Sequence, residues 1–407
     1  MNERVVRAAY ILSQFPETHE TFILREIREM ERQGVRIEIF SLKKCRDKIV
    51  QTNALQLKNR THYPNVRIRL AALMLTVFVF GIHPLKSWKL LKTLFRDNRK
   101  HPVYLLKVLS MFPMGVWIGW KSKRLNVRKI HAHWATVPAE TARTASQFSG
   151  IPFSFTAHAW DIFLHPGNLE RLIDDADKVI TCTRFNKAFM NQKYNRNFGS
   201  KIRVLYHGLD SSERIPKRGP RTDGFHLLAV GRLVEQKGFS HLLRAISILE
   251  KEGRGVSLWL VGEGPLRAAL EKEARLLGIR DRVVFKGMLL QQEVFSLMRQ
   301  ADALVMPSVV AKNQDRDGIP NVVPEAMAHR LPVIGTSVSG LPEVIIDHVT
   351  GLLVLPCVPE KLAVAVRTLM ENPELGESMA AKAGELVRES FDSPKNVLLM
   401  RKELGLI

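Results

Sequence analysis

The chain has 407 residues, 45% apolar and 25% charged, with 61 Lys and Arg against 40 Asp and Glu for a net charge of +21. That balance excludes a disordered or collagen-like chain, and the length exceeds what one hydrophobic core ordinarily fills, so two α/β domains are expected. Cys45, Cys182 and Cys357 are far apart with no C-x-x-C pair, which argues against a disulfide framework or thiolate zinc site and for small buried or half-buried residues in a reducing compartment.

Val5 to Leu12 reads as a first strand. The apolar run there is too short for a secretory leader, so a cytoplasmic protein is expected. A helix follows from about Glu20 to Gln33, stopped by Gly34, and Val35–Phe40 is the next strand. Strand, helix and strand in this order imply a parallel sheet. Residues 43–130 then break the alternation, with 20 Lys and Arg against Asp47 and Asp97 alone. The apolar run LAALMLTVFVFGI at 70–82 lies there, with Trp88, Phe95, Tyr104, Phe112, Trp117 and Trp120. Thirteen residues are too few to span a bilayer, so the run reads as a buried or interfacial helix. Cations interleaved with aromatics suit an anionic membrane surface; a solvated helical face and nucleic acid are the weaker readings. The expectation is peripheral attachment to the inner face of the cell membrane, without nucleic acid.

Regular alternation resumes with the strand Ile130–Trp134, a helix over 138–148, and strands at 152–156, Val179–Thr181 and Ile202–Tyr206. The turn HGLD at 207–210 and the polar run 211–224 read as the end of a domain 1–210 and a linker. A second domain, 225–392, carries strands at Phe225–Val230, Val256–Val261, Val283–Phe285, Ala303–Met306, Val333–Gly335 and Gly351–Val354. Helices at 239–252 and 266–277 alternate with them. This is a doubly wound pattern, with ligands expected at the carboxyl ends of the strands.

Several motifs sit at such strand ends. Gly231 and Arg232 follow the first strand of the second half, and Lys237 and Gly238 close the same loop before a helix. A guanidinium and an ammonium beside a helix N-terminus suit a diphosphate. Gly262 and Gly264, in a Gly-Glu-Gly-Pro loop, let backbone approach a ligand. Further on, Asp317 lies on a loop, because Pro320 cannot sit inside a helix. Pro324 and Glu325 fit the first turn of the next helix, where a carboxylate faces the positive end of the dipole. In the first half, His158 and Asp161 lie in FTAHAWDIF, and His131 and His133 share one face of a strand. No third carboxylate or cysteine stands at ligand spacing to that pair, so they read as structural or acceptor-lining and no metal is expected.

Together these motifs resemble retaining glycosyltransferase family 4, in its bacterial exopolysaccharide and colanic-acid branch. The resemblance rests on the acid-x7-acid pair Asp317 and Glu325, the G-R-x4-K-G of 231–238, the G-x-G-P of 262–265, His158 with Asp161, and Glu-Thr-Phe at 20–22. It implies a GT-B fold: two Rossmann-like doubly wound domains facing across a cleft, the first binding the acceptor and the second a nucleotide-diphosphate sugar. It also implies a final helix at 393–407 packing on the first domain. By the same resemblance Arg232 and Lys237 neutralise the donor diphosphate, and Gly231, Gly262, Gly264 and the backbone at Lys286 line the nucleotide. Glu325 holds the ribose, Asp317 with Gly318 and Ile319 the sugar hydroxyls, and His158 the transferred sugar. Asp161 and His133 line the acceptor or sugar. No metal or other cofactor is implied, and the acceptor is a saccharide or glycolipid. The chain departs from the family pattern at Asp317 (usually Glu), Ala159 (usually Gly) and Arg330 (usually Gly). Another GT-B enzyme, such as a sugar-nucleotide epimerase or a phosphorylase, and a non-catalytic membrane-associated adaptor are the alternatives.

Overall fold

The computed structural model describes residues 5–17, 20–44, 56–164, 167–209 and 224–407, so Cys45 and the expected linker, save Gly224, lie outside the described residues. The chain divides into two units, Met1–Gly208 with Ser393–Ile407, and Leu209–Asp392.

The first unit is built on β1 (Val6–Gln14), β2 (Val35–Lys43), β3 (Lys129–His133), β4 (Phe153–Ala157), β5 (Lys178–Thr181) and β6 (Ile202–Val204). They form one sheet in the order β2-β1-β3-β4-β5-β6, every neighbouring pair parallel. β3 and β4 are buried at every position, as strands covered by helices on both faces must be. The order reverses between β1 and β3, the point at which a doubly wound sheet opens a crevice beyond its carboxyl ends. β2 runs to Lys43 rather than Phe40, and β6 stops at Val204, two residues short of expectation. The helix Thr21–Arg32 buries Phe22, Ile23, Ile27 and Met30, and Gly34 at φ +86° turns the chain into β2. The helix Ser393–Leu404 adds Val397, Met400 and Leu404 to the same core, and the Gln33 side chain donates to the Pro394 carbonyl at 2.8 Å.

The basic segment forms four helices, Val66–Ile82, Pro84–Asn98, Pro102–Ser110 and Phe112–Arg124. Asn65 caps the first by accepting from the Ile68 N–H at 2.9 Å, and proline occupies the first turn of each of the others. The expectation of a buried or interfacial helix at 70–82 is half corrected, since Val66–Ile82 buries only Ala72 and Thr76. Leu73, Met74, Val77 and Phe78 are each more than half exposed. The aromatics divide: Trp88 and Phe95 point outward, whereas Tyr104, Phe112 and Trp117 are buried. Pro102–Arg124 is 23 residues long and apolar enough to cross a membrane by length and composition, but half of it is buried within the unit. Phe112–Arg124 packs tightly on the helix Val137–Ser149. A Cβ at Gly115 would lie 2.7 Å from the Thr144 side chain, and one at Gly119 2.6 Å from the Ala145 carbonyl. A buried ionic cluster ties the block down further: Arg143 meets Asp97 at 2.9 Å, Glu140 at 3.3 Å and Asp175 at 2.6 Å. Burial pushes the Glu140 carboxyl up.

The second unit holds β7 (Phe225–Val230), β8 (Val256–Val261), β9 (Val283–Gly287), β10 (Ala303–Met306), β11 (Val333–Thr336) and β12 (Leu352–Val354), ordered β12-β11-β10-β7-β8-β9 and all parallel. Its strand order reverses between β7 and β10. The helices Phe239–Lys251 and Pro359–Glu371 bury Leu242, Leu243, Ile246, Leu362 and Val366 against it. The helices Gln291–Gln300, Pro359–Glu371 and Pro373–Ser390 are additions to the sequence reading. Cys182 is half-buried as expected, but Cys357 is exposed, which corrects its reading as a packed residue.

The helix Val322–Ala328 ends in a Schellman motif. The Leu331 N–H reaches the Ala326 carbonyl and the Arg330 N–H the Met327 carbonyl, each at 3.0 Å. Arg330 therefore takes the left-handed position at φ +53°, where a Cβ is strained and glycine is favoured. Its side chain is exposed. Arg330→Gly is expected to stabilise the second unit by about 0.5–1 kcal/mol, seen as a higher urea midpoint. A lower midpoint would show that the arginine contributes more through contacts than it loses in backbone strain.

Candidate functional site

In the second unit the loops after β7, β8 and β9 interlock through backbone bonds. Gly231 N–H donates to Val261 O at 3.0 Å, Leu233 N–H to Glu263 O at 2.9 Å and Gly262 N–H to Gly287 O at 2.8 Å. The contact leaves no room for side chains: at Gly262, φ +130°, a Cβ would stand 2.0 Å from the Gly231 carbonyl oxygen, and at Gly264 2.5 Å from that of Leu233. The loop after β10 closes on the same place, since a Cβ at Gly238, φ +65°, would lie 1.9 Å from the Pro307 carbonyl oxygen. The residues read as Gly-rich motifs thus meet where the sheet's strand order reverses.

Lys237 lies along Gly231 and its Nζ pairs with Asp317 Oδ2 at 2.9 Å. Ser308 Oγ also donates to that carboxylate, at 3.3 Å. Arg232 is exposed on the same loop. Gly318 and Ile319 are half-buried beside Asp317. Glu325, in the helix Val322–Ala328, is buried and accepts from Gln291 Nε2 at 3.1 Å, so the two acids of the spaced pair have different partners. The Lys286 side chain is exposed and lies over the Trp259 ring at 5.7 Å, so only its backbone remains for the role read from sequence. Asp315 escaped the sequence reading. It accepts from Gln236 Nε2 at 2.8 Å, and burial first, then the Asp317 charge, push its carboxyl up while Arg232 and Lys237 pull it down. The site thus gathers two cations and two carboxylates on loops with open backbone, a set able to hold a phosphate group and a polyol together.

In the first unit a group of histidines follows the carboxyl ends of β3 and β4. His158 precedes the short helix Ala159–Phe163. Its ring lies 4.4 Å from that of Trp134 and 5.4 Å, stacked, from that of His207. Trp134 itself sits at φ +78°, with its indole N–H donating to Glu20 at 2.7 Å. His133 Nδ1 is 3.4 Å from His158 Nε2, and its Nε2 is 3.1 Å from Glu26, to which Tyr10 OH also donates.

Two expectations are corrected here. Asp161 is fully buried; one carboxylate oxygen accepts from the His158 N–H at 2.6 Å and the other from the Ala135 N–H. It fixes the loop that carries His158 instead of lining a ligand. Burial pushes its carboxyl up to about 8 against the pull of those backbone donors. His133 is fully buried too, and stands behind His158, not at a surface. Glu26 with His131 and His133, and His158 with Cys182 and His207, are grouped closely enough to hold a metal ion. His131 does not fit that use: its nitrogens meet the hydroxyls of Ser154 at 2.9 Å and Thr156 at 3.0 Å.

Comparison with known proteins finds likenesses in sequence and in fold. Residues 224–372 match the family model described as Glycosyl transferases group 1. The chain is 25% identical to the putative colanic acid biosynthesis glycosyltransferase WcaL of Escherichia coli over 98% of both chains. It is 31% identical to a glycogen synthase of Mycobacterium tuberculosis, over 65% of this chain and 65% of that one. The likeness to the group 1 glycosyltransferases by family model is thus confined to the second unit. Its fold matches that of the Anabaena protein HepE, with a TM-score of 0.71 at 17% identity, covering 99% of this chain and 100% of the other. Both sheets are thus the Rossmann-like halves of a GT-B protein.

The first unit carries one further residue that the sequence reading passed over. His207 opens what was taken for a linker turn, yet His207-Gly208-Leu209-Asp210 is the literal His-Gly-x-Asp pattern that 158–161 only approximates. Its ring stacks on Phe22 at 4.1 Å, and burial holds its imidazole down at about 3.

His131 is fully buried, and burial holds it well below the usual histidine range. The unfolded chain therefore takes up a proton near pH 6.5 that the folded chain refuses, so stability present above that pH is lost as pH falls. From this ring alone the loss should be about 1 kcal/mol between pH 6.5 and 5.5. Asp161 works in the opposite sense, favouring the fold as pH drops from about 8. Urea unfolding of the first unit at pH 7.5 and 5.5 is expected to show a smaller acid loss in His131→Gln than in the parent. An equal loss in both would mean that the buried ring is not the source.

Proposed function

We propose that the chain transfers a sugar, with retention at the anomeric carbon, from a nucleotide-diphosphate donor to a lipid-linked saccharide in the synthesis of a surface polysaccharide. The observation that carries the reading is the Lys237–Asp317 pair, held with Arg232 among glycine loops at the strand-order reversal of a group 1 domain. HepE, of the same fold, was solved with UDP and with UDP-glucose, and the relative matched along its whole length is named for colanic acid biosynthesis. In this reading Lys237 and Arg232 take the diphosphate, Asp317 with the backbone of Gly318 and Ile319 takes the sugar hydroxyls, and Glu325 takes the ribose. His158 meets the transferred sugar. The departing phosphate oxygen receives the proton of the acceptor hydroxyl, so the site needs positioned charge more than a strong base. The two cations supply that charge, and the reading calls for no metal or other cofactor.

Lys237→Ala and Arg232→Ala are each expected to lower turnover of a nucleotide sugar by about 10²–10³ while leaving the melting temperature near that of the parent. A panel of donors followed by release of the nucleoside diphosphate measures it. Turnover within threefold of the parent in both variants would remove the diphosphate assignment.

The acceptor half of the proposal rests on the helical block, whose exposed Leu73, Met74, Phe78, Leu85 and Trp88 stand among lysines and arginines. Such a surface suits the anionic cytoplasmic leaflet, at about 1 kcal/mol per cation near it. The protein is expected to sediment with anionic vesicles at low salt, and to be released only in part by high salt because inserted hydrocarbon stays behind. Recovery in the supernatant with both neutral and anionic vesicles would leave the block as a solvated face.

A further inference from the structure

The first unit contains a cavity of about 780 Å³, within the range of small-molecule sites, that neither the donor loops nor the histidine group accounts for. One wall is the carboxyl edge of the sheet: Ser13 on β1, Leu42 on β2, and Thr136 and Trp160 just beyond β3 and β4. The cavity therefore lies where the strand order reverses between β1 and β3, the position at which doubly wound sheets receive ligands. The facing wall is the helical block, which contributes Arg69 from Val66–Ile82 and His101, Val103 and Lys107 at Pro102–Ser110.

The lining has a definite chemistry. Lys43, Arg69 and Lys107 give it three exposed cations, His101 adds an imidazole, and among the described residues no carboxylate lines it. The remainder is largely hydrocarbon, and the side chains next along the helices, Leu70, Leu73 and Leu106, are exposed apolar groups. A free anion has no use for the hydrocarbon, and a purely apolar ligand has none for the cations. A molecule with an anionic head joined to an apolar chain uses both. Thr136 adjoins Ala135, whose N–H holds Asp161, and Trp160 adjoins Asp161 itself, so the cavity shares its wall with the loop that carries His158.

We propose that this cavity binds the phosphate or diphosphate head and first carbons of the lipid that carries the acceptor. Lys43, Arg69 and Lys107 take the phosphate, and Val103 and Trp160 flank the chain. The assignment rests on the acceptor reading given above.

The test titrates farnesyl diphosphate into the full-length protein saturated with UDP, by calorimetry, using the parent and the Arg69→Ala/Lys107→Ala double variant. Inorganic diphosphate and farnesol are run in parallel, and UDP affinity is measured separately for each protein. The expected result is binding of farnesyl diphosphate that weakens at least tenfold in the double variant with UDP affinity unchanged. Inorganic diphosphate and farnesol should each bind at least tenfold more weakly than the joined molecule. Equal affinity in both proteins, or no binding by the parent, overturns the assignment. Inorganic diphosphate binding as tightly as the farnesyl ester makes it a free-anion site, and farnesol doing so makes it an apolar groove; either also overturns it. Failure of UDP to bind counts against the donor reading alone, because the dependence of farnesyl diphosphate on Arg69 and Lys107 is still read directly.

Discussion

Parallel pairing is the constraint from which the rest follows. When every strand of a sheet runs the same way, all the carboxyl ends lie along one edge, and each chain segment must return by a crossover before the next strand begins. In the second unit that edge collects Gly231, Gly262 and Gly264 into a backbone cluster with no space for a Cβ at Gly262 or Gly264, and sets Lys237 against Asp317. In the first unit it collects Trp134, His158 and His207, and the wall of a cavity. The chemistry of both halves sits on the edge because nowhere else do so many loops from separated parts of the sequence converge.

Two carboxylates do different work on those edges. Asp161 is consumed by backbone donors on both oxygens and serves as a fixture, joining the loop after β3 to the helix after β4. Asp317 is half-buried, and its partner is an ammonium on a long side chain. A lysine held this way is kept extended over the glycine loop, and its three N–H donors leave room for further acceptors.

Much of this was legible in the sequence. β7, β8 and β10 begin and end where the β-branched runs and following turns put them, and Gly238, Gly262 and Gly264 stand where backbone must approach backbone. What failed to show was orientation. The run at 70–82 is apolar on all sides, so no helical period marks which face is buried, and only packing leaves Met74 and Phe78 outside. Spacing placed Asp161 three residues from His158 but could not say that its oxygens face inward, because a buried carboxylate satisfied by backbone looks the same in a string as an exposed one. His207 was lost because Gly and Asp beside it also spell a turn. Asp315 was overshadowed by Asp317, two residues on.

Asp97 is the only acid among the described residues of the helical block, and it is turned inward to Arg143 with its side chain 3% exposed. The outer surface of the block is thus a field of one sign with no internal counter-charge. At physiological ionic strength such a field decays over about 8 Å, less than the roughly 10 Å diameter of one helix with its side chains. The cations therefore act on what touches them and exert little pull on molecules approaching from afar. A charge excess of this size gives the protein a sense of contact, not of distance.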